Sequence, residues 1–280
     1  MNRRHIAAGL HRGMMELRHI RRDRRAQVGL LVNPLMFLLV ASGRDGDIPG
    51  SHVPAANQVI GGGIASVIFL AAMTWLPQQL ANDREDGTLL RLRGTPGGIP
   101  AYLLSKVVAL TGTALSTVAI LLISGTLLTD ATLPTDVTRW MTLLWVLLLG
   151  LAALAPLGAA LGAVLPSSRE AVALLSLPVF GLIFISGVFY PMNQMPRWLQ
   201  TAGEVFPLAW MARGVRSALL PDSALAAETG HSWQHLQTAG ALTAWLLAAL
   251  LVAPSLLRRA ARQQSGSRLS ARREFATHRS

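Results

Sequence analysis

The sequence contains no cysteine and few charged residues. Without cysteine, the chain has no disulfide, no thiolate nucleophile and no cysteine-bound zinc site. Charged residues make up 14% of the 280 residues, whereas soluble domains usually carry about 25%. This low share disfavours an ordinary water-soluble enzyme.

The chain has a single lysine, Lys106, which excludes a nucleotide-binding P-loop. A P-loop needs Gly-Lys-Ser/Thr so that the lysine reaches the phosphates, and Lys106 follows a Leu-Ser pair instead. If ATP powers this protein, another polypeptide must hydrolyse it. The predicted membrane spans also lack the ionisable relay of an ion-driven carrier and the residues of a membrane protease. We therefore expect no catalytic residue, no cofactor and no metal site in this chain.

Long uncharged, apolar stretches account for much of the remaining sequence, of which 51% is hydrophobic. A helix needs about 20 apolar residues to cross a membrane. Six stretches approach or exceed this length: 26–42, 55–81, 107–128, 140–165, 171–190 and 239–257. They predict an all-α integral membrane fold with six transmembrane helices, in which residues 26–257 form one domain.

Two of these stretches contain closely spaced glycines. The run Gly61-Gly62-Gly63 is uncharged and flanked by apolar sequence, unlike a phosphate-binding loop, and it predicts close helix packing or local flexibility. The pair Gly158 and Gly162 has the small-xxx-small spacing of helix contacts. We expect this pair to pack within the bundle, with a dimer face as the alternative.

Basic residues are distributed unequally between the two sides of the predicted bundle. The formal net charge is +11, and 20 of the 25 basic residues fall on the side of the two termini if six spans alternate. Acidic residues divide equally, so the two sides carry +13 and −2. The positive-inside rule then places both termini in the cytoplasm. We expect a lipid environment and no nucleic-acid partner.

Both termini are basic, but only the first has helical periodicity. Residues 1–25 carry Ile6, Leu10, Met14, Leu17 and Ile20 on one stripe, with arginines on the other side. This pattern predicts an amphipathic helix in the headgroup layer; a signal or transit peptide is the alternative. The tail, 258–280, lacks periodicity and is predicted to be a disordered cytoplasmic segment.

Residues 191–238 form the longest segment between predicted spans, and the charge count places them outside. Trp198, Phe206 and Trp210 interleave there with Pro196 and Pro207. A solvated loop would not carry so much apolar surface. The segment is predicted to be a re-entrant external helical hairpin that dips into the outer leaflet before the last span.

The loop at 82–100, after the second stretch, has the pattern of a short capped helix. Thr88 can cap its start, and a later Gly-Thr-Pro run gives a stop signal. Acidic residues precede the helix and arginines close it, which favours the helix dipole, and Leu89 and Leu92 share a face. One or two turns are unstable alone in water. The segment is therefore either a connector on the membrane surface or a docking element for a partner.

Two sets of residues resemble motifs of one family. The first set is Arg84, Glu85, Gly87, Thr88, Leu89, Leu92, Thr95 and Pro96, with Lys106 ten residues further on; the second is Gly187, Phe189, Pro191, Pro196 and Pro207. In this order, and with a basic amphipathic start before the spans, the chain resembles the permease subunit of ABC-2 type exporters. It is most similar to the daunorubicin/antibiotic-resistance branch.

The resemblance implies a transporter of the bacterial plasma membrane built from two permease chains and two separate ATPase subunits, which bind the ATP and Mg²⁺. The first set would form the coupling helix seated on the ATPase, and residues 1–25 the elbow helix. The expected cargo is a hydrophobic or amphipathic, drug-like compound. A permease for a polysaccharide or lipid-linked glycan is the alternative, and a non-transporting membrane sensor or assembly factor is the alternative from another class.

Overall fold

The computed structural model describes residues 3–93, 95, 97–129, 131–165, 167–253, 255 and 256. Within these residues the secondary structure is helical, apart from one β-bridge between Asp47 and Pro54, so the all-α prediction is confirmed. The α-helices are α1 (Arg3–Arg22), α2 (Arg24–Ser42), α3 (Ala55–Leu70), α4 (Leu76–Glu85), α5 (Thr88–Arg93), α6 (Gly98–Leu128), α7 (Val137–Val164), α8 (Ser168–Ile185), α9 (Arg197–Val205), α10 (Pro207–Leu219) and α11 (His235–Ala253). A π-helix, Ala71–Trp75, joins α3 to α4, and short 3₁₀-helices cover Met192–Gln194, Asp222–Ala227 and Thr229–His231.

Four helices in the described part of the chain are long and apolar enough to cross a membrane. They are the continuous helix Ala55–Glu85, together with α6, α7 and α11. Segments His5–Arg22 and Ala26–Ser42 meet at 78° and together make a fifth candidate, while Val172–Ile185 in α8 is a shorter apolar helix. The chain is therefore a multi-pass membrane protein.

The observed helices differ from the predicted spans mainly at their ends. The third begins at Gly98 rather than at 107, so that Lys106 lies inside α6. The fourth starts at Val137, because Asp136 accepts a hydrogen bond from the Arg139 backbone N–H and caps it. The predicted span 171–190 ends as α8 at Ile185. The predicted tail, 258–280, lies outside the described residues.

The helix Ala55–Glu85 lies at the centre of the bundle, and its glycine run lets three neighbours approach. A Cβ built at Gly61 would lie 2.8 Å from Arg216 Cγ on α10. One at Gly62 would lie 2.7 Å from the Val188 backbone, and one at Gly63 would lie 2.8 Å from the Phe37 ring on α2. The prediction of close helix packing is confirmed here.

The pair Gly158 and Gly162 packs α7 against the same central helix. A Cβ at Gly158 would overlap the Ala72 carbonyl oxygen of the π-helix, and one at Gly162 would lie 2.7 Å from Pro77 Cα on α4. The pair therefore serves packing within the bundle, as expected.

The segment 191–238 is only partly surface-bound. Trp198 on α9 is 70% exposed, as a membrane-surface residue would be. Helix α10, in contrast, packs against α3 and α7, and its residues from Met211 to Leu219 are buried. This half of the segment belongs to the protein core, because its apolar residues pack against other helices of the protein and not against lipid.

Candidate functional site

The 82–100 segment forms a tight corner between two long helices. Helix α4 ends at Glu85, and Gly87, with a φ of +70°, reverses the chain while its N–H donates to the Arg84 carbonyl oxygen. Helix α5 follows for six residues, from Thr88 to Arg93. The Thr95 N–H and hydroxyl both donate to the Leu92 carbonyl oxygen. The predicted short helix is thus present, and Thr88, which was predicted to cap it, is its first residue.

The predicted coupling residues separate into exposed and half-buried groups. Glu85 and Thr95 are exposed, whereas Thr88, Leu89 and Leu92 are half-buried at the end of the bundle. Pro96 lies outside the described residues. Helix α5 therefore projects from the α4–α6 corner and packs against both of these helices.

Arg84 reaches across to a neighbouring helix rather than along α5. Its Nη1 donates to the Ala163 carbonyl oxygen at 2.8 Å, and its Nη2 donates to the Leu165 carbonyl oxygen. The last carbonyls of a helix have no partners within the helix. Arg84 thereby caps the end of α7 and joins it to α4.

Asp83, the residue before Arg84, points to the other side of α4. Lys106 Nζ lies 2.8 Å from Asp83 Oδ2 and 2.6 Å from Glu16 Oε1 on α1. The Tyr102 hydroxyl also donates to Asp83 Oδ2, at 2.7 Å. Lys106 is only 7% exposed along its side chain. The sequence pattern placed Lys106 just outside the third span and predicted no ionisable residue within the spans. The structure corrects this prediction, because α6 begins at Gly98 and therefore includes Lys106.

The motif after α8 binds three elements together. Gly187 has a φ of +71°, and its carbonyl oxygen accepts hydrogen bonds from Gln58 Nε2 at 2.9 Å and Arg216 Nη1 at 3.0 Å. Phe189 stacks on Phe37 of α2 with ring centroids 5.8 Å apart. The structure thus brings the end of α8 against α2, α3 and α10.

The prolines of the second motif occupy positions where a missing N–H is harmless. Pro191 and Pro196 directly precede the 3₁₀-helix and α9, and Pro207 is the first residue of α10. Helix starts leave their first N–H groups unpaired, so proline is well tolerated there. These residues set the ends of elements.

A buried ion-pair network lies beside this motif, within the predicted external hairpin. The sequence pattern allowed Glu204 to pair with an arginine, but it did not predict that Arg213 and Arg216 are buried. Arg213 and Arg216 are both fully buried. Arg216 forms two hydrogen bonds with the carboxylate of Glu228, at 2.5 and 3.0 Å, and Arg213 pairs with Glu204 at 2.9 Å. Arg213 Nη1 also donates to Gln234 Oε1. Two arginines three residues apart in an otherwise apolar helix were the available signal.

A cavity of about 410 Å³ lies between α1, α2, the π-helix and α6. Glu16 and Asp23 are among the residues that line it, with Trp75 of the π-helix. Thr113 and Thr117 line its α6 wall. The cavity therefore combines polar and apolar surface at the α1 end of the bundle.

The fold and this corner define a multi-pass helical membrane protein with a short projecting helix on one long hairpin. A sequence model of the family described as "ABC-2 type transporter" matches residues 13–220. The chain belongs to the ABC-2 type transporter family, as the motifs predicted. It is thus a transport subunit that is not itself catalytic, and its family implies association with an ATP-binding subunit. Family membership disfavours the sensor or assembly-factor alternative.

One curated relative extends over most of the chain. The sequence is 28% identical over 247 residues to "Nodulation protein J" of Rhizobium leguminosarum bv. trifolii. The match covers 83% of this chain and 85% of that protein. The similarity therefore extends over most of the length of both chains.

Proposed function

We propose that this chain is the permease subunit of an exporter that moves a hydrophobic or amphipathic, drug-like compound out of a bacterial cell. A separate ATPase subunit holds the ATP and Mg²⁺, and this chain contributes no catalytic or metal-binding residue. The complete transporter contains two permease copies and two ATPase subunits. The observation that carries the proposal is the projecting helix α5. Just before it, Asp83 contacts α6 and Arg84 contacts α7.

In this proposal α5 is the coupling helix. Leu89 and Leu92 provide an apolar face for a groove on the ATPase, and Glu85 and Thr95 provide polar contacts at its edges. Gly87 and Thr88 shape the corner, and we assign Pro96 to the same surface because it belongs to the same sequence motif. The docking surface thus consists of the first set of motif residues, with Arg84 acting inside the permease.

Movement of α5 reaches the bundle through two adjacent side chains. Asp83 is bound to Lys106 on α6, which in turn holds Glu16 on α1. Arg84 is bound to the end of α7. Asp83 and Arg84 are adjacent in sequence but contact different helices. Closure of the ATPases, which moves α5, therefore displaces α6 and α7 together. Such a displacement switches the bundle between two packed states, the ordinary route of a conformational change.

The proposed topology has six spans with both termini in the cytoplasm of the bacterial plasma membrane. Helices α2 and α8 supply the two shorter spans, and α1 is the interfacial elbow helix. The distribution of basic residues supports this orientation. It also places α5 on the same side as the ATPase.

Export of a polysaccharide or lipid-linked glycan is the second candidate function. The observation that favours it is the set of hydroxyl and amide side chains in the cavity, among them Thr74, Thr117 and Gln79. Such groups suit the hydroxyls of a sugar. The low aromatic content of 6% favours the drug-like cargo.

Co-purification with the ATP-binding subunit encoded beside the gene tests the proposal. We expect the pair to elute together from detergent, and the double variant Leu89→Ala/Leu92→Ala to lose the ATPase and the export. Leu177→Ala on α8, where the side chain is 82% exposed, is the matched control and should keep both. Retention of the ATPase and of export by the double variant would contradict the coupling role of α5.

A further inference from the structure

We propose that one anionic phospholipid of the cytoplasmic leaflet binds in a crevice of about 450 Å³ between α1, α2 and α6. Its phosphate lies at Arg21, and one acyl chain lies along Leu31 and Ile120. The lipid is a resident component of the permease and not its cargo. The inference therefore goes beyond the proposed export function, and of that proposal it uses only the cytoplasmic position of the termini.

The lining of the crevice has a polar corner and apolar walls. Arg21 and Gln27, both exposed, lie where α1 meets α2. The apolar lining residues come from all three helices: Leu17, Ile20, Leu30, Leu31, Ala119 and Ile120. A phospholipid joins a polar headgroup to apolar chains, so the two kinds of surface match the two parts of one lipid.

The charge of the lining favours an anion. Arg21 is the one ionisable group among the described residues of the crevice, and no carboxylate lines it. Glu16 and Asp23 line the neighbouring cavity instead. Glu16 is paired with Lys106 at 2.6 Å, and Asp23 also has an interaction partner. The guanidinium at the crevice is thus available to a phosphate.

Three further arginines surround this corner. Arg18 and Arg22 on α1 and Arg24 on α2 are all exposed. In the described part of the chain, neither they nor Arg21 form an ion pair with a carboxylate. A basic cluster at the cytoplasmic membrane surface attracts anionic lipids. These arginines therefore add to the attraction, and the crevice gives it a defined place.

A buried hydroxyl without a partner also lines the crevice. Thr113 is 5% exposed, and its Oγ1 has no hydrogen-bond partner among the described residues. Ser116, which lines the same wall, donates instead to the Gly112 carbonyl oxygen. An unpaired buried hydroxyl is unfavourable. An ester carbonyl of the bound lipid accepts a hydrogen bond from Thr113 and removes this penalty.

The crevice opens onto apolar faces that are exposed along two spans. Leu31 lines the crevice and is 41% exposed, and Leu35 follows one turn later with 52%. On α6, Ala119 lines the crevice and is exposed, and Ile123 follows with 61%. Residues four apart lie on one face of a helix. An acyl chain can therefore continue from the crevice along both helices into the bilayer.

The helices around the crevice are fixed by close contacts. Segments His5–Arg22 and Ala26–Ser42 meet at 78°, and Gln27 Nε2 donates to the Arg21 carbonyl oxygen across this bend. On α1, a Cβ built at Gly13 would lie 2.7 Å from Val108 Cβ on α6. The crevice is thus formed by the packing of the chain itself, and binding needs little rearrangement.

Two substitutions remove the proposed contacts at exposed positions. Arg21→Gln removes the guanidinium, and its matched control is Arg3→Gln, an exposed arginine of the same helix about 27 Å away at 1.5 Å per residue. Ala119→Phe obstructs the apolar wall. Ala173→Phe, at an exposed alanine of α8 outside the crevice, is the control for the added ring.

Native mass spectrometry of the full-length permease in detergent counts the bound lipids. The protein is titrated with palmitoyl-oleoyl phosphatidylglycerol, which is anionic, or with phosphatidylcholine of the same chains, which has no net charge. We expect one phosphatidylglycerol to bind about tenfold more tightly than phosphatidylcholine, because the arginines attract an anionic headgroup. Arg21→Gln should weaken this binding about tenfold and Ala119→Phe about fivefold. Arg3→Gln and Ala173→Phe should not change it.

Equal affinity for the two lipids would overturn the proposal. Equal weakening by Arg21→Gln and Arg3→Gln would also overturn it, because the attraction would then belong to the whole of α1. Glycerophosphoglycerol, which is the headgroup without chains, should not displace the lipid at equal concentration, and displacement would indicate a phosphate site instead. If Ala119→Phe is not monodisperse, the two arginine variants decide. Neither ATPase nor cargo is present, so either result leaves the coupling role of α5 to its own test.

Discussion

At the scale of single residues, buried charges are held by specific partners on other elements. Arg216 places its guanidinium on the carboxylate of Glu228 and on the Gly187 carbonyl oxygen. A buried ion without a partner is very unfavourable, so each residue makes the burial of the other possible. The network therefore fixes where the segment before α11 meets the bundle.

Removing one member of this pair should destabilise the protein more than removing both. Glu228→Met leaves the buried Arg216 without its carboxylate, and Arg216→Met leaves the buried Glu228 with only the longer contact to Arg213 at 3.6 Å. Breaking a buried ion pair costs about 3–5 kcal/mol. The double variant removes both charges, and we expect it to recover part of the loss, although Arg213 still loses a neighbour in Glu228. Thermal unfolding in detergent measures the effect. The exposed Arg197→Met is the control, and a double variant no more stable than the single variants would contradict this account.

Local patterns predicted some of these residues and not others. The positions of Thr88, of Pro196 before α9 and of Pro207 at the start of α10 were predictable, because turn and cap preferences act between near neighbours in sequence. The Arg216–Glu228 pair was not, since the end of α10, a short loop and one 3₁₀-helix, Asp222–Ala227, separate the partners. Nor was the role of Arg84, whose carbonyl partners lie at the end of α7. Such pairings depend on tertiary structure that a periodic pattern does not encode.

At the scale of elements, the central helix is held by α7 through small residues. Gly158 faces the Ala72 carbonyl oxygen of the π-helix, and Gly162 faces Pro77. The spacing of these glycines predicted close packing, but it did not identify the partner or the π-helix. A π-helix depends on backbone hydrogen bonds that side-chain periodicity does not report. Contacts that bring the α7 backbone this close leave no room for a methyl group.

Substitution of Gly158 by alanine should separate α7 from the central helix. The added Cβ overlaps a backbone oxygen, which cannot move like the end of a flexible side chain, and overpacking of this kind costs about 1–3 kcal/mol or more. We expect a lower melting temperature in detergent. Gly181→Ala, which meets open space, should melt like the wild type, and equal melting of both variants would contradict the packing.

At the scale of the whole molecule, one helix connects the ion-pair network to the coupling corner. Its 31 residues, Ala55–Glu85, extend about 46 Å at 1.5 Å per residue. Composition predicted this span and three others, because long apolar stretches require lipid or a core. It did not predict the burial of α10, since an apolar segment looks the same whether protein or lipid covers it.

Labelling of single cysteines should establish the proposed topology. The natural chain has no cysteine, so a membrane-impermeant maleimide has no background reaction with it. Asp45→Cys, in the exposed loop between α2 and α3, should react in intact cells. Arg91→Cys on α5 should react only after the membrane is opened. The reverse pattern would contradict the orientation.

Photo-cross-linking from the coupling helix tests the central claim most directly. A cysteine at exposed Arg91 on α5, or at Leu236 on α11 with 87% exposure, is modified with benzophenone maleimide in membranes that contain the ATP-binding subunit. The account predicts a covalent permease–ATPase product from Arg91→Cys and none from Leu236→Cys. A product from Leu236→Cys alone, or no product from Arg91→Cys, would contradict it.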